Sequence, residues 1–425
     1  MTRPALDPLP WNAVGHRGPL TDPPTLAQLT TLGVGGRVAR LEEPTSEAAF
    51  VDAVRRADED ARGLLVLGGG SNLLASDDPF DGVVVRDARR EVRVGEADSA
   101  GSVLVTASAG TGWDPFVCRT LEAGLSGVEA LSGIPGTVGA APVQNVGAYG
   151  HEVGETLVAV RAWDRAARRI VSLGVGDLDL GYRTSRIKAS LHHEDAGRVW
   201  GPTGRWVVLE VVFRLEVSSL SAPVRYGELA RHLGVEVGER ADTFAVREAV
   251  TALRRSKGMV LDAGDHDTWS AGSFFTNPIL PVTRAEQLLP ADAPQFPAGD
   301  GLVKSSAAWL ISHAGFPRGW SVGEPLVGDL QAGDLSAGDA RAGDLLAGGR
   351  AAGDPALAPA PQTRPTGAGG SPRASLSTRH VLALTNRGDA SSADIVELAR
   401  AVRDGVRERF GVTLVPEPVT LGLHI

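Results

Sequence analysis

Residues 133–150 read GIPGTVGAAPVQNVGAYG, which places five glycines and no charged side chain in 18 positions. Because glycine loses more conformational freedom on folding than any other residue, this concentration indicates backbone that lies very close to another group. A second glycine-rich stretch, GGGSN at 68–72, directly follows the apolar run LLVL at 64–67. The run predicts a buried strand, and the glycines predict a turn whose N–H groups form a nest for a diphosphate. An ordinary tight turn is the alternative for 68–72 alone, whereas the two stretches together favour a large, flat ligand.

The composition is that of a globular protein with more than one domain. The chain has 425 residues, 43% hydrophobic and 22% charged, which exceeds the usual size of one domain. Its formal net charge of −9 gives no general attraction to nucleic acid, so we expect no such partner. The single cysteine, Cys118, excludes an intrachain disulfide and a multi-cysteine metal cluster, and it fits a reducing cytoplasm. We expect no membrane span and no secretory signal, because no stretch is long and apolar enough.

The hydrophobic periodicity predicts alternating helices and strands, and therefore a mixed fold. The helix at 114–124 is expected to have Asp114 as N-cap and Gly124 at its C-terminal end. The other predicted helices are 46–60, 243–255, 305–315 and 392–411. The predicted strands are 64–67, 82–87, 102–110, 157–164, 168–173, 206–215, 380–386 and a final one over 412–423.

The segment 325–373 departs from this pattern. It contains GDLQA, GDLSA, GDARA, GDLLA and GGRAA in tandem, followed by a stretch rich in Pro, Ala, Gly and Thr. One interpretation is a pentapeptide-repeat β-helix, but five units supply barely one turn of such a solenoid. The interpretation that we favour is a low-complexity linker on the surface.

Several common motifs are absent. Leu73 stands where the third glycine of a dinucleotide fingerprint belongs, and the sequence has no Gly-Lys dipeptide for a Walker A loop. It also has no G-x-S-x-G elbow and no H-E-x-x-H helix. The nine histidines are scattered, so we predict no metal site.

Three polar clusters remain as candidates for chemistry: GYRTS at 181–185, AGSFFTNP at 271–278 and LVPEP at 414–418. Each also has a purely structural interpretation. The first would be a surface ion-pair cluster, the second a capped turn over a pair of core phenylalanines, and the third an edge strand with an exposed glutamate.

The sequence resembles the UDP-N-acetylenolpyruvoylglucosamine reductase family over residues 25–324 and 374–425. The resemblance rests on six motifs in this order: VLGGGSNLL, SGIPGTVGAAPVQNVGAYG, GYRTSRIK, RYGEL, AGSFFTNP and LVPEP. It implies an α+β fold with a split FAD-binding domain of the vanillyl-alcohol-oxidase (PCMH) type and a smaller α/β substrate-binding domain. The segment 325–373 has no counterpart in the usual family pattern.

The resemblance also implies domain boundaries. They are a proline-rich tail at 1–24, a first FAD-binding subdomain at 25–88 joined by a returning C-terminal strand at 412–425, a second FAD-binding subdomain at 89–258, and a substrate-binding domain at 259–411 that contains the insertion 325–373.

The resemblance implies an enzyme of peptidoglycan synthesis that reduces an enolpyruvyl UDP-sugar with FAD and NADPH. Arg183 matches the catalytic arginine, Ser273 the proton donor and Glu417 the carboxylate that stabilises the enolate intermediate. Tyr182, Tyr226, Lys257 and Asn277 match positions that contact the substrate. The implied FAD-binding residues are Gly68, Gly69, Gly70, Ser71, Asn72, Gly133, Ile134, Pro135, Gly136, Gly139, Asn145, Gly147, Ala148 and Tyr149.

Two other functions stay open at this point. One is a flavin oxidase of the same FAD fold that acts on another substrate, and the other is a flavin-binding scaffold without activity. Neither glycine-rich stretch contains a His or Cys, so we expect non-covalent FAD. We further expect a cytoplasmic monomer whose partner is the UDP-sugar substrate.

Overall fold

A computed structural model describes residues 5–12, 17–326 and 372–425 of the chain. The first region is built on a three-stranded parallel sheet in the order β1–β4–β2. Helix α2 packs on this sheet through Phe50, Ala53 and Val54, and its N-terminus is capped by the Ser46 side chain. The elements are α1 (Leu26–Leu29), β1 (Val38–Glu42), α2 (Glu47–Glu59), β2 (Gly63–Val66), β3 (Leu73–Ala75) and β4 (Phe80–Val85).

The second region contains a larger antiparallel sheet in the order β11–β10–β12–β6–β5, with β7 also paired to β12. Trp163, Val207 and Leu209 from this sheet share one core cluster with helix α2, so the two regions pack together. The strands are β5 (Val92–Ala97), β6 (Ser102–Ser108), β7 (Leu125–Ser126), β8 (Gly147–Ala148), β9 (His151–Glu152), β10 (Leu157–Asp164), β11 (Arg169–Gly174) and β12 (Trp206–Val217). The helices are α3 (Trp113–Glu122), α4 (Val175–Leu178), α5 (Arg186–Ala189), α6 (Gly227–Leu233) and α7 (Thr243–Ser256).

Asp114 is not the N-cap of helix α3, contrary to the prediction. The N-cap is Gly112, two residues earlier, and Gly124 follows the C-cap residue with a φ of +76°. The Asp114 carboxylate is completely buried and forms an ion pair with Arg247 at 2.7 Å. It also accepts hydrogen bonds from the Leu9 N–H and the Gly133 N–H, each at 2.6 Å. These partners come from outside the helix, so helix-local sequence signals could not identify them.

The third region has two small antiparallel sheets, β13–β15–β14 and β16–β17, packed with helices α9 and α10. Leu32, Val34 and Leu74 of the first region join the same hydrophobic core. The elements are β13 (Ile279–Pro281), α8 (Val282–Leu288), β14 (Gln295–Pro297), β15 (Leu302–Ser305), α9 (Ala307–His313), β16 (Ala374–Leu376), β17 (Leu384–Asn386) and α10 (Ser392–Phe410).

The predicted strand over 412–423 is wrong in extent, because only β18 (Val419–Leu421) is a strand there. Pro416 and Pro418 explain the difference, since proline lacks the N–H that a central strand donates. Strand β18 pairs in parallel with β3 of the first region. Just before β18, the Glu417 N–H donates to the Phe274 carbonyl at 2.8 Å. The predicted strand at 380–386 is likewise shorter and begins at Leu384.

The predicted N-terminal tail makes specific contacts with the second region. The Leu6 N–H donates to the Glu122 carboxylate at 2.7 Å, and the Trp11 carbonyl accepts from the Gly136 N–H at 2.7 Å. Leu9 is buried. The two interpretations of the segment 325–373 concern residues that lie almost entirely outside the described part of the chain. Across the part that is described, no helix has the length and apolarity to span a membrane.

Candidate active site

A cavity of about 530 Å³ brings both glycine-rich stretches together. Its wall also includes parts of the third region, among them Ser273 and Asn277, and Glu417 from the C-terminal segment. Twelve of the predicted FAD-binding residues line it: Gly68, Gly69, Gly70, Ser71, Asn72, Ile134, Pro135, Gly136, Gly139, Gly147, Ala148 and Tyr149.

Two predicted FAD-binding residues, Gly133 and Asn145, do not line this cavity and instead hold the loop in shape. The Gly133 carbonyl accepts from Arg254 Nε at 2.9 Å, while its N–H is held by Asp114. Asn145 is 3% exposed and has a φ of +46°. Its side chain donates to Glu152 at 2.6 Å and accepts from the Gly154 N–H at 3.0 Å. Because neither residue has a distinctive sequence signal, only the structure separates them from the loop residues that face the cavity.

The turn at 68–72 is fixed by contacts with other backbone. Gly70 has a φ of +71°, and a Cβ there would lie 1.9 Å from the Leu29 carbonyl oxygen. A larger residue would therefore displace either the turn or the end of helix α1. The glycine backbone therefore does lie very close to another group, as inferred from the sequence. At Gly70 this group is the protein backbone and not a ligand.

The cavity is positively charged, although the chain as a whole is negative. Its wall includes six Arg or Lys residues and two carboxylates, Asp87 and Glu417. The six cations are Arg86, Arg90, Arg183, Lys188, Arg254 and Lys257. Such an excess over an apolar, glycine-lined floor suits a ligand that carries phosphates and a flat ring system.

Arg183 is held from two sides and keeps one donor without a partner. Its Nε lies 3.3 Å from Glu417 Oε1, and its Nη2 donates to the Gly147 carbonyl at 2.7 Å. The Nη1 group is buried and has no hydrogen-bond partner among the described residues. Buried donors are nearly always satisfied, so an unsatisfied one calls for a bound acceptor. The backbone of Arg183 also has a φ of +55°, which is uncommon for a residue other than glycine and occurs often at functional sites.

Glu417 is mostly buried, and this burial raises the pKa of its carboxyl group, although Arg183 and Lys188 oppose the shift. Gln144 Nε2 donates to the same oxygen, Oε1, at 3.3 Å. The carboxylate is therefore oriented by a guanidinium and an amide. The alternative interpretation of LVPEP, an edge strand with an exposed glutamate, is therefore wrong.

Ser273 lies beside the segment that carries Glu417. The hydrogen bond between the Glu417 N–H and the Phe274 carbonyl aligns the two segments. Ser273 Oγ is 3.4 Å from His380 Nε2, and both residues line the cavity. The sequence analysis missed His380 because the histidines are scattered and no motif marked it.

The four predicted substrate-binding residues all line the same cavity. The Tyr182 hydroxyl accepts from the Asn277 N–H at 3.3 Å. Tyr226 packs edge-to-face against Tyr149 with a centroid separation of 5.5 Å. Lys257 Nζ forms an ion pair with Glu228 at 2.6 Å.

Lys188 is a site residue that the sequence analysis did not assign, although it lies within the motif GYRTSRIK. Its Nζ donates to the carbonyl of Glu417 at 3.1 Å and to the carbonyl of Arg183 at 3.3 Å. A third bond, at 3.3 Å, goes to the Gln144 side chain. Lys188 therefore ties together the three segments that position Arg183 and Glu417, and burial lowers its pKa.

Together, the fold and the cavity define a flavoprotein with an FAD-binding domain. Residues 38–174 match the family described as FAD binding domain. Residues 264–351 and 366–421 match the family described as UDP-N-acetylenolpyruvoylglucosamine reductase, C-terminal domain.

Relatives over nearly the whole chain identify the family. The UDP-N-acetylenolpyruvoylglucosamine reductase of Nocardia farcinica is 48% identical over 408 residues, covering 94% of this chain and 89% of the relative. The protein of the same name from Cutibacterium acnes is 46% identical over 400 residues, covering 94% and 90%. The chain belongs to the UDP-N-acetylenolpyruvoylglucosamine reductase family and is an FAD-containing oxidoreductase.

A solved structure supports the fold. The UDP-N-acetylenolpyruvylglucosamine reductase from Thermus caldophilus is 22% identical, with a TM-score of 0.52, and the match covers 93% of this chain and 97% of that one. The predicted family, the α+β fold class and the FAD cofactor are thereby confirmed.

Proposed function

We propose that this protein reduces the enolpyruvyl group of UDP-N-acetylenolpyruvoylglucosamine with electrons from NADPH, giving UDP-N-acetylmuramate for peptidoglycan synthesis. The observation that carries the proposal is the buried Nη1 of Arg183, which has no hydrogen-bond partner in the described part of the chain. It lies in a cavity that also holds Ser273, Glu417 and the FAD-binding loops. A carboxylate-bearing substrate would supply the missing acceptor.

Bound FAD supplies hydride chemistry, and the roles below are those of this chain's own residues. Adding hydride to the terminal carbon of the enolpyruvyl group leaves negative charge as an enolate on the carboxylate side. The Arg183 guanidinium, held by Glu417 and the Gly147 carbonyl, is preorganised to stabilise that charge. Preorganisation matters because the donor then needs no rearrangement as the charge develops.

Ser273 is our candidate for the group that gives a proton to the other carbon. A serine hydroxyl is a weak acid in water, so the transfer requires a basic acceptor and close positioning. Packing beside the Glu417 segment supplies the position. Glu417 in turn orients Arg183 and stabilises the intermediate.

The substrate's UDP group would lie against Tyr182, Tyr226, Lys257 and Asn277. Lys257 offers a cation to the diphosphate, and the tyrosine rings offer flat surfaces. We place the enzyme in the cytoplasm as a monomer. The single buried cysteine fits a reducing compartment.

The decisive experiment is to follow NADPH absorbance with purified protein and UDP-N-acetylenolpyruvoylglucosamine. We expect oxidation of NADPH only when this substrate is present, and none with UDP-N-acetylglucosamine, which lacks the reducible double bond. Oxygen consumption driven by another substrate would favour a flavin oxidase instead. A flavin-containing protein without turnover on any of these compounds would favour a scaffold.

A further inference from the structure

The N-terminal residues 6–11 lie across the second region as a strap, which we define by these residues. Four hydrogen bonds fix it. The backbone N–H groups of Leu6 and Leu9 donate to Glu122 and Asp114 at 2.7 and 2.6 Å, and the carbonyl of Asp7 accepts from Arg247 at 3.1 Å. The fourth bond joins the Trp11 carbonyl to the Gly136 N–H. The strap is therefore an integral part of the fold, and hydrogen bonds hold both of its ends.

Trp11 lies where the two glycine-rich stretches meet, and it is part of the cavity wall. A Cβ at Gly69 would lie 2.3 Å from the Trp11 carbonyl oxygen, and a Cβ at Gly112 would lie 2.6 Å from its ring. The glycines at these two positions thus make room for Trp11. The same carbonyl occupies the N–H of Gly136, so that N–H is not available to a phosphate.

The surroundings of Trp11 are cationic. The Arg90 guanidinium lies over its indole ring, 4.9 Å from the centroid. Arg86 also lines this part of the cavity. Arg86 forms an ion pair with Glu43 at 3.3 Å, and Arg90 Nη1 donates to the carbonyls of Asp87 and Arg89. Burial lowers the pKa of both arginines, so an anionic ligand next to Trp11 would stabilise their charged forms.

Trp11 and the proposed catalytic residues contact different parts of the second glycine-rich stretch. Arg183 and Glu417 contact Gly147 and Gln144, at the C-terminal end of the second glycine-rich stretch. Trp11 contacts Gly136, near the opposite end of that stretch. Trp11 also adjoins Gly69 of the turn at 68–72, the stretch whose N–H groups are predicted to form a nest for a diphosphate.

We propose that Trp11 contacts the diphosphate–adenine half of bound FAD, and that the strap thereby forms a third wall of the cofactor site. An indole beside an arginine offers an aromatic surface for adenine and a neighbouring cation for the diphosphate. The proposal depends on FAD as cofactor and is independent of which substrate the enzyme reduces.

The test measures cofactor binding without turnover. Apo-protein is titrated with FAD and, separately, with FMN, which lacks the adenylate, and flavin fluorescence gives the dissociation constants. Loss of one base–aromatic contact typically weakens binding by roughly tenfold or more. We therefore expect Trp11→Ala to raise the Kd for FAD by about that factor and to leave the Kd for FMN within roughly threefold.

Two controls keep the test sharp. Leu6→Ala changes the same strap outside the cavity and should leave both constants near the wild-type values. Trp11→Phe retains an aromatic ring and the backbone carbonyl, so its Kd for FAD should fall between those of wild type and Trp11→Ala.

A second measurement uses the fluorescence of Trp11. ADP should quench the Trp11 emission of apo-protein, which is obtained as the difference between wild type and Trp11→Phe. An unchanged Kd for FAD, or an equal loss for FAD and FMN, would overturn the proposal.

Discussion

The three catalytic candidates, Arg183, Ser273 and Glu417, lie in one cavity but have different neighbours. We propose that they serve two different tasks, charge stabilisation and proton transfer. Arg183 and Glu417 form a mostly buried ion pair at 3.3 Å, to which our proposal assigns the stabilisation of negative charge. Ser273 faces His380 rather than this pair, which suits a group that handles a proton. A substitution at Ser273 should therefore affect one half of the reaction and spare the other.

Ser273→Ala should reduce its flavin with NADPH at nearly the wild-type rate, because that step needs no proton on the substrate carbon. Reoxidation by the enolpyruvyl substrate should slow by roughly 10²- to 10³-fold, the usual loss for one preorganised catalytic group. Rapid-mixing absorbance at the flavin band measures the two halves separately. Equal slowing of both halves would mean that the variant disturbs the flavin pocket, and Ser273 would then lose its assigned role.

Glu417 should give the holoprotein a pH-dependent stability of defined sign. Its pKa is raised in the folded state, so the folded protein holds this proton more tightly than the unfolded chain does. The free energy of unfolding then falls as the pH rises toward and through the folded-state pKa. Glu417→Gln, which resembles the protonated acid, should gain stability relative to wild type as the pH rises over that window.

Thermal melts of FAD-saturated protein across a pH series measure this difference. Glu408→Gln, on the exposed part of helix α10, is the matched control for loss of a carboxylate. If both variants followed the same pH trend relative to wild type, the trend would come from overall charge and not from burial of Glu417.

The motifs in the sequence predicted residues that lie together in the structure. All three catalytic candidates and all four substrate candidates line one cavity. Lys188, His380 and Trp11 were missed because their position depends on contacts between segments far apart in sequence. Gly133 and Asn145, which were also predicted to bind FAD, do not line the cavity, since the sequence does not show which way a loop residue faces.

At the scale of elements, helix α3 is a joint between the strap, the second glycine-rich stretch and helix α7. Asp114 holds all three through Leu9, Gly133 and Arg247. Removing one partner of a buried ion pair leaves an uncompensated charge, which typically costs about 3–5 kcal/mol. Asp114→Ala should therefore lower the free energy of unfolding by about that amount, as measured by urea denaturation.

Arg119→Ala, on the exposed face of the same helix, should change stability by about 0.5 kcal/mol or less. The double variant Asp114→Ala/Arg247→Met should recover part of the loss, because it removes the unpaired cation. If the single variant Asp114→Ala were as stable as Arg119→Ala, this result would contradict the structural role of Asp114.

The predicted elements lie within two residues of their predicted bounds, whether long or short, except for the strands predicted at 380–386 and 412–423. Helix α10 and strand β12 are examples of long elements that matched. The prediction for the terminal strand was wrong because it gave more weight to the apolar residues around Pro416 and Pro418 than to the N–H donors that the two prolines lack. Its parallel pairing with β3 depends on tertiary contacts, which local patterns do not encode.

At the scale of the whole molecule, we expect FAD to bind non-covalently in the cavity between the regions. The described residues of the cavity wall include one histidine, His380, and no cysteine. Cys118 is buried elsewhere, and burial raises its pKa to about 12, so it remains a thiol. Acid denaturation should release the flavin into the supernatant, and a yellow pellet would instead indicate covalent attachment.

Bound cofactor should also raise the melting temperature. A ligand that binds only the folded state adds about 4 kcal/mol at a free concentration of 1,000 times its Kd. Apo-protein should therefore melt several degrees below holoprotein, and the gap should widen with added FAD. A melting temperature independent of FAD would show that FAD does not bind preferentially to the folded protein.

The pairing of β18 with β3 has a consequence for biosynthesis on the ribosome. Val419 lies beside Leu73, 346 positions earlier (419 − 73). At about 5–20 residues per second, the ribosome needs roughly 20–70 s to make that stretch. During this interval the nascent first region has an unpaired strand edge and no Glu417. In our proposal the site is therefore complete only after residue 417 has been translated, and termination before that residue would yield chains without the Glu417 carboxylate.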